Sequence, residues 1–391
     1  MTDYSKTART LIYLLSCAVS EKECELKSDE IDFDGLYSLA KRHSLCSAAA
    51  FALESAGINE PRFTQAKVKA KRKLALFDIE RVKIYQKLND AGIWFAPLKG
   101  IVLKDSYPRY GMREMSDNDI LCDSSKMAEV REIMESLGFI CSNYGEWHHD
   151  NYQKPPTLDF EMHHTLFQTD DSPAFQSYYL DVFDKLVHKS GCEYAFKDED
   201  FYIYILAHMY KHFSHNGTGL RSLLDIHVYL QSHPDLDFDY IGRELEKLQL
   251  LDFAQRARGL AVKLFGLQKL SEEDLELLPM FLDSSLYGSV EQGEYNHLTR
   301  QLDGKDSKRV KIKYFFDRIF LHGESLERSY PFFARHKWLL PALYVYRLFK
   351  SLFTRPKGIL RETKNVVKYH SPKKGGKRKS EIFQLLLSMK Q

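Results

Sequence analysis

The sequence predicts an α+β protein, an α/β core set inside a mainly helical chain. Three observations predict it. Residues 1–92 are rich in helix formers and end in a long charged segment, Arg62 to Asn89, bounded by Pro61 and Gly92. Strand signals are confined to residues 93–165. From Asp198 to Leu282 the apolar spacing is helical again, with turn-like breaks at Asn216-Gly217, His233-Pro234 and Gly266. No internal repeat is present. The chain therefore divides into a helical region (1–92), an α/β core (93–197), a helical domain (198–286) and a C-terminal helical region with a basic tail (287–391).

Taken in order, Leu11 to Val19 is an apolar stretch too short to span a bilayer. Cys17-Ala18-Val19-Ser20 resembles a cleavage site, but Asp3 spoils a basic leader, and the stretch reads as a first amphipathic helix. Ile93 to Leu98 reads as a strand running into Lys99-Gly100, followed by a helix start over Ile101 to Asp105. Ile120-Leu121-Cys122 is an apolar run short enough for a buried strand, and a helix is expected from Ser124 to Leu137 before a strand at Phe139-Ile140-Cys141. Thr157 to His163 alternates polar and apolar, as a half-buried strand does. Tyr287 to Ser307 is polar and reads as a loop or linker.

The 391 residues suffice for two or three domains, and 44% apolar with 28% charged residues excludes disorder by composition. Six cysteines (17, 24, 46, 122, 141, 192) show no C-x-x-C spacing and read as free thiols in a reducing cytoplasm. Charge is segregated. Residues 355–379 carry ten Lys/Arg and one Asp/Glu, a net +9 in a chain whose total is +2. Just before them, Trp338 to Phe353 reads as an aromatic-rich apolar helix. Together, residues 338–379 suit peripheral contact with an anionic membrane. A packed helix with a solvated tail is the plainer reading, and phosphate contact with nucleic acid is a third, without an aromatic-interleaved RNA motif to support it.

The chemistry centres on Ser116-Asp117-Asn118-Asp119. In an extended strand Asp117 and Asp119 project on one face, and two carboxylates so close call for a hard cation such as Mg²⁺. A solvated acidic turn has the same composition. Upstream, a glycine at a strand-to-helix turn lets backbone N–H groups approach phosphate oxygens, and Lys99 adds a point charge beside Gly100. Downstream, Glu161 is a candidate third carboxylate, with Asp159 on the same strand face as its substitute. His208 and His212 lie four apart on an expected helix and, with Asp225, admit a zinc-hydrolase reading, although the H-E-x-x-H glutamate is missing. A structural or substrate-contacting role suits them better. His148, His149, His163 and His164 make a second cluster, and because adjacent histidines on a strand face opposite ways, at most one of each pair is expected to join a given site. His163 shares the Glu161 face and could orient a ligand or pack as a core histidine.

These segments resemble the uncharacterised nucleotidyltransferases of the DNA polymerase beta superfamily. The resemblance lies in Leu98-Lys99-Gly100, Arg113 to Asp119, and Glu161-Met162-His163. It extends to LYSLAKRH (Leu36 to His43) and to a helical motif with His208, His212, Leu220-Arg221 and Asp225, covering about residues 5 to 235. It implies a small mixed β-sheet core and nucleotidyl transfer from an NTP with two Mg²⁺ ions, or Mn²⁺ in their place. Asp117, Asp119 and Glu161 are then catalytic metal ligands, and Lys99, Gly100, Arg113 and Ser116 bind the nucleotide. His163, His208, His212, Arg221 and Asp225 touch substrate or hold structure. The chain departs from the superfamily in having Lys-Gly where glycine-serine is usual. It also has Asn118 where an apolar residue is usual, which implies a locally more open strand. The implied acceptor is a sugar or surface-glycan precursor, with protein or RNA as alternatives. The cysteines and the N-terminal stretch predict a cytoplasmic location, and the tail predicts peripheral membrane contact through residues 338–379. A noncatalytic protein of the same fold, engaging membrane or nucleic acid through its tail, is the competing reading.

Overall fold

The computed structural model describes residues 3–145, 147–168, 172–215, 217–284, 326 and 330–354. Among these, one compact unit holds the residues up to Lys211 and from Thr218 to Ser284, and a second holds those from His212 to Gly217 and from 326 to 354.

The first unit opens with four helices, α1 (Asp3–Ser20), α2 (Phe33–Arg42), α3 (Cys46–Ser55) and α4 (Pro61–Asp90). Leu11, Ile12, Leu14 and Leu15 of α1 are fully buried, so the apolar N-terminal stretch is core helix. The charged segment is the 30-residue α4, with Pro61 in its first turn and the Glu60 carboxylate accepting from the Phe63 N–H. Its buried positions Leu74, Phe77, Arg81, Ile84 and Leu88 recur every three or four residues, one stripe of a helix whose other faces carry the charge.

The strands are β1 (Phe95–Pro97), β2 (Asn118–Cys122), β3 (Ile140–Asn143), β4 (His149–Lys154), β5 (Leu158–His163), β6 (Leu186–Ser190) and β7 (Glu193–Phe196). They form one mixed sheet in the order β3-β4-β5-β2-β1-β7-β6. β2 runs parallel to β5 and antiparallel to β1, and β1 runs parallel to β7. Short α5 (Gly100–Leu103) follows β1, and α6 (Met127–Ser136) links β2 to β3. One sheet face, with Ile120, Cys122, Tyr152, Phe160 and Met162, packs against the α4 stripe and Val130 and Met134 of α6. Phe160 meets Phe77 and Phe139 edge to face at 5.6 and 5.3 Å.

After α7 (Pro173–Tyr178) and the β6–β7 hairpin come α8 (Asp198–His215), α9 (Leu220–Ser232), α10 (Phe238–Lys247), α11 (Leu251–Phe265) and α12 (Glu272–Leu282). Helices end at the breaks read from sequence: α8 before Asn216-Gly217, α9 before His233-Pro234, α11 before Gly266. Strands β4, β6 and β7 were not singled out in the sequence, because HDNYQK, LVHKS and EYAF lack the β-branched alternation that marks a strand.

The second unit includes α13 (Pro331–Arg335) and α14 (Leu340–Thr354), the aromatic-rich helix expected there. Leu326 and Leu343 are buried, while Trp338 is 77% exposed and Val345 and Tyr346 are each 54% exposed. The polar stretch 287–307 and the basic stretch 355–379 lie outside the described residues. Among the described residues no helix is long and apolar enough to cross a membrane, and all six cysteines are free of disulfides.

Candidate active site

Parallel pairing of β2 with β5 sets Asp119 opposite Glu161. The same face of β5 carries Asp159 and His163, because side chains alternate, while Phe160 and Met162 enter the core. Oxygens of Asp119 and Glu161 and a nitrogen of His163 all lie within 4.8 Å of one another. Asp119 is 2% exposed, and its Oδ1 accepts from Nζ of Lys99 at 2.5 Å and from Nε2 of His163 at 3.0 Å. Lys99 Nζ also stands 3.9 Å from Glu161 Oε2. Burial alone would raise the Asp119 pKa, but Lys99 and His163 outweigh it and hold the carboxyl well below its usual range. Lys99 answers in kind: burial would lower it, and the facing Asp119 leads the charges that hold it above its ordinary value.

Asp117 stands just ahead of β2, outside the group that shares 4.8 Å. It is nevertheless close enough to feel the group. Burial, then the charges of Asp119 and Glu161, push its carboxyl up to about 6. Asp159 accepts instead from the Asn151 amide of β4, at 2.9 Å.

The loop before Asp117 is pinned from three sides. On α9, Asp225 accepts from Arg113 Nε (2.8 Å) and Nη2 (2.9 Å) and from the Tyr107 hydroxyl (2.7 Å), all buried. Arg113 Nη1 lies 3.3 Å from the Met115 sulfur, and the guanidinium clamps this loop to α9. Arg221, one turn ahead of Asp225, donates to the Glu114 carbonyl at 3.0 Å. Glu114 reaches the N-terminus of α3, accepting from the Ser47 N–H at 2.8 Å. From α4, Lys73 donates to the Ser116 carbonyl at 2.7 Å. Arg81 of α4 donates to Asn118 Oδ1 at 2.5 Å, which answers the expectation of an opened strand: Asn118 is fully buried and the strand stays closed, because a cation from the packed helix satisfies its amide oxygen.

Lys99, not Gly100, takes the left-handed backbone (φ 42°, ψ −117°). Such a conformation is costly for a side chain bearing Cβ, and here the Lys99–Asp119 contact helps hold it. Gly100 is needed for space: a Cβ there would stand 2.6 Å from Arg113 Nη1 and 2.9 Å from Met115 Cε.

At the other end of the acidic face, antiparallel β4–β5 pairing sets His149 opposite His163. Burial, then the neighbouring His163, lowers His149 to about 3 and pushes His148 down as well. His163 is raised despite its burial, by accepting carboxylates at Asp119 and Glu161. His208 and His212 lie on α8, half-buried. Asp225 is held by Arg113 and Tyr107, and neither metal-competent group among the described residues includes these three.

A family model described as an uncharacterised nucleotidyltransferase matches residues 29–266. The chain belongs to that nucleotidyltransferase family. The matched span runs from just before α2 to the end of α11 and contains the whole sheet and the loop before β2. A transferase fold of this kind agrees with an acidic group on adjacent strands. Comparison with curated proteins and with solved structures found no match. Lys73, Arg81, Ser47 and Tyr107 were missed by sequence reasoning, and no local signal marks them. Lys73 sits in a run of lysines and arginines typical of a solvated helix face.

Proposed function

We propose that this protein is a Mg²⁺-dependent nucleotidyltransferase that moves a nucleotidyl group from an NTP to an acceptor hydroxyl. The observation that carries the reading is the convergence of Asp119 and Glu161 on adjacent strands, with Asp117 beside them. The residues fit a hard cation. Carboxylate oxygens suit Mg²⁺, an ammonium already lies against Asp119, and the Asp117 carboxyl is raised by burial and then by the charges of Asp119 and Glu161, which a cation would offset. Asp117, Asp119 and Glu161 would hold the ions, or Mn²⁺ in their place. When bound, such ions supply Lewis-acid activation of the acceptor and charge stabilisation at the leaving pyrophosphate.

The chain's own groups have distinct tasks. Lys99 balances charge on Asp119 and, on its short tether beside α5, lies within reach of phosphate oxygens next to the same carboxylates. Arg113 and Asp225 act at one remove, fixing the loop that presents Ser116 and Asp117. A sugar or surface-glycan precursor is the acceptor we favour, and protein or RNA are alternatives. Residues 338–379 offer contact with an anionic membrane.

The test is calorimetric titration of each NTP with and without Mg²⁺, on the wild type and on an Asp117→Ala/Asp119→Ala double variant. Mg²⁺-dependent binding of at least one NTP, lost in the variant, is expected. Absence of binding of all four NTPs to the wild type would reject the transferase reading in favour of a noncatalytic member of the fold.

A further inference from the structure

Three imidazoles gather at one end of the acidic face. His148 lies just before β4, His149 starts it and His163 ends β5, so the two adjacent histidines are not bound to opposite strand faces, and the rings lie 4.5 Å (148–149), 5.3 Å (148–163) and 4.9 Å (149–163) apart between centroids. Nδ1 of His149 is 3.4 Å from Nε2 of His148. One nitrogen of each ring lies within 4.8 Å of one from each of the others. His163 is 1% exposed, and while its Nε2 engages Asp119, its Nδ1 is buried with no hydrogen-bond partner among the described residues. A buried polar atom left so costs about 1–3 kcal/mol.

We propose that His148, His149 and His163 form a metal site for a borderline transition ion of the Zn²⁺ class, separate in preference from the Mg²⁺ carboxylates beside it. Imidazole nitrogen suits Zn²⁺, Co²⁺ and Ni²⁺, whereas Mg²⁺ takes oxygen ligands. The surroundings match those of metal-bound histidines, whose second ring nitrogen is held by a carboxylate or an amide oxygen. Asp119 holds Nε2 of His163, and Nδ1, buried without a hydrogen-bond partner among the described residues, is the ligand atom that opens once a metal displaces its proton. The Gln168 amide nitrogen stands 2.8 Å from Nδ1 of His148, and the amide turned over presents its oxygen there instead. Further polar contacts include Lys211 Nζ, 3.5 Å from His148 Nε2, Glu161 Oε1, 3.7 Å from His149 Nε2, and Glu161 Oε2, 3.4 Å from His163 Nε2. Tetrahedral Zn²⁺ at 2.0–2.1 Å from each nitrogen needs nitrogens about 3.3 Å apart, so the rings close inward by roughly 1.5 Å at most.

The test needs no nucleotide, so its outcome is independent of the transferase reading. The full chain is titrated with Zn²⁺ and with Co²⁺ in excess Mg²⁺. Expected are one Zn²⁺ per chain and a Co²⁺ complex with the strong visible bands of four-coordinate nitrogen ligation and without thiolate charge-transfer bands. In His148→Ala/His149→Ala, Zn²⁺ affinity should fall by ~100-fold or more, since loss of outer partners alone costs 10–100-fold. Asp117→Ala should bind Zn²⁺ as the wild type does. Substoichiometric Zn²⁺, affinity unchanged by the histidine substitutions, or a weak six-coordinate Co²⁺ spectrum would each overturn the proposal. Should the double variant not fold, the wild-type Co²⁺ spectrum decides alone.

Discussion

His43 shows how one side chain ties distant parts of this protein. It caps α2, is fully buried, and its Nδ1 accepts from the Leu220 N–H at the start of α9, at 3.3 Å. Burial, then the adjacent Arg42, lowers its pKa from 6.5 to about 3. The unfolded chain therefore binds a proton that the folded chain refuses between those values, and stability falls as pH drops from about 6.5 toward 3, by about 1.4 kcal/mol per pH unit from this group. Denaturant titrations between pH 4.5 and 7 should show a shallower pH dependence for His43→Asn, whose amide oxygen can still accept from Leu220. Equal slopes in the two proteins would mean that His43 does not carry this linkage. The position was legible in LYSLAKRH as a motif, but its partner was not, because 177 residues separate the two.

Among the elements, the loop from Tyr107 to Asp117 is held by α3, α4 and α9 together, and α9 supplies the strongest hold. The bidentate Arg113–Asp225 pair is buried, so removing one partner leaves an uncompensated charge and costs about 3–5 kcal/mol. Asp225→Asn should lose stability of that order in urea unfolding. Arg113→Lys should recover little of the fork geometry, because an ammonium cannot make both contacts. A cost under about 1 kcal/mol for Asp225→Asn would show that the loop is held by its other anchors. The family resemblance assigns Arg113 to the nucleotide. Its partner in the fold, Asp225, lies 112 residues on.

For the whole molecule, the carboxylates join β2, β5 and the loop before β2, so occupancy of the site should stabilise the fold as a unit. At roughly 100 times Kd, a ligand that binds only the folded state adds about 2.7 kcal/mol. Mg²⁺ with the cognate NTP should therefore raise the melting temperature by a few degrees, and Asp119→Asn should abolish the rise. An equal rise in the variant would place nucleotide binding elsewhere in the chain.

By itself the sequence determined the kinds of element and where many of them stop. It also determined, through the two-residue period of a strand, that Asp159, Glu161 and His163 share one face of β5. These are local properties, set by neighbouring side chains and backbone sterics. Only the tertiary structure decided that Asp119 faces Glu161, that Arg113 belongs to Asp225, and that His148 and His149 meet His163. Those pairings depend on strand order, register and helix docking, which the whole buried core sets and no short stretch of residues encodes.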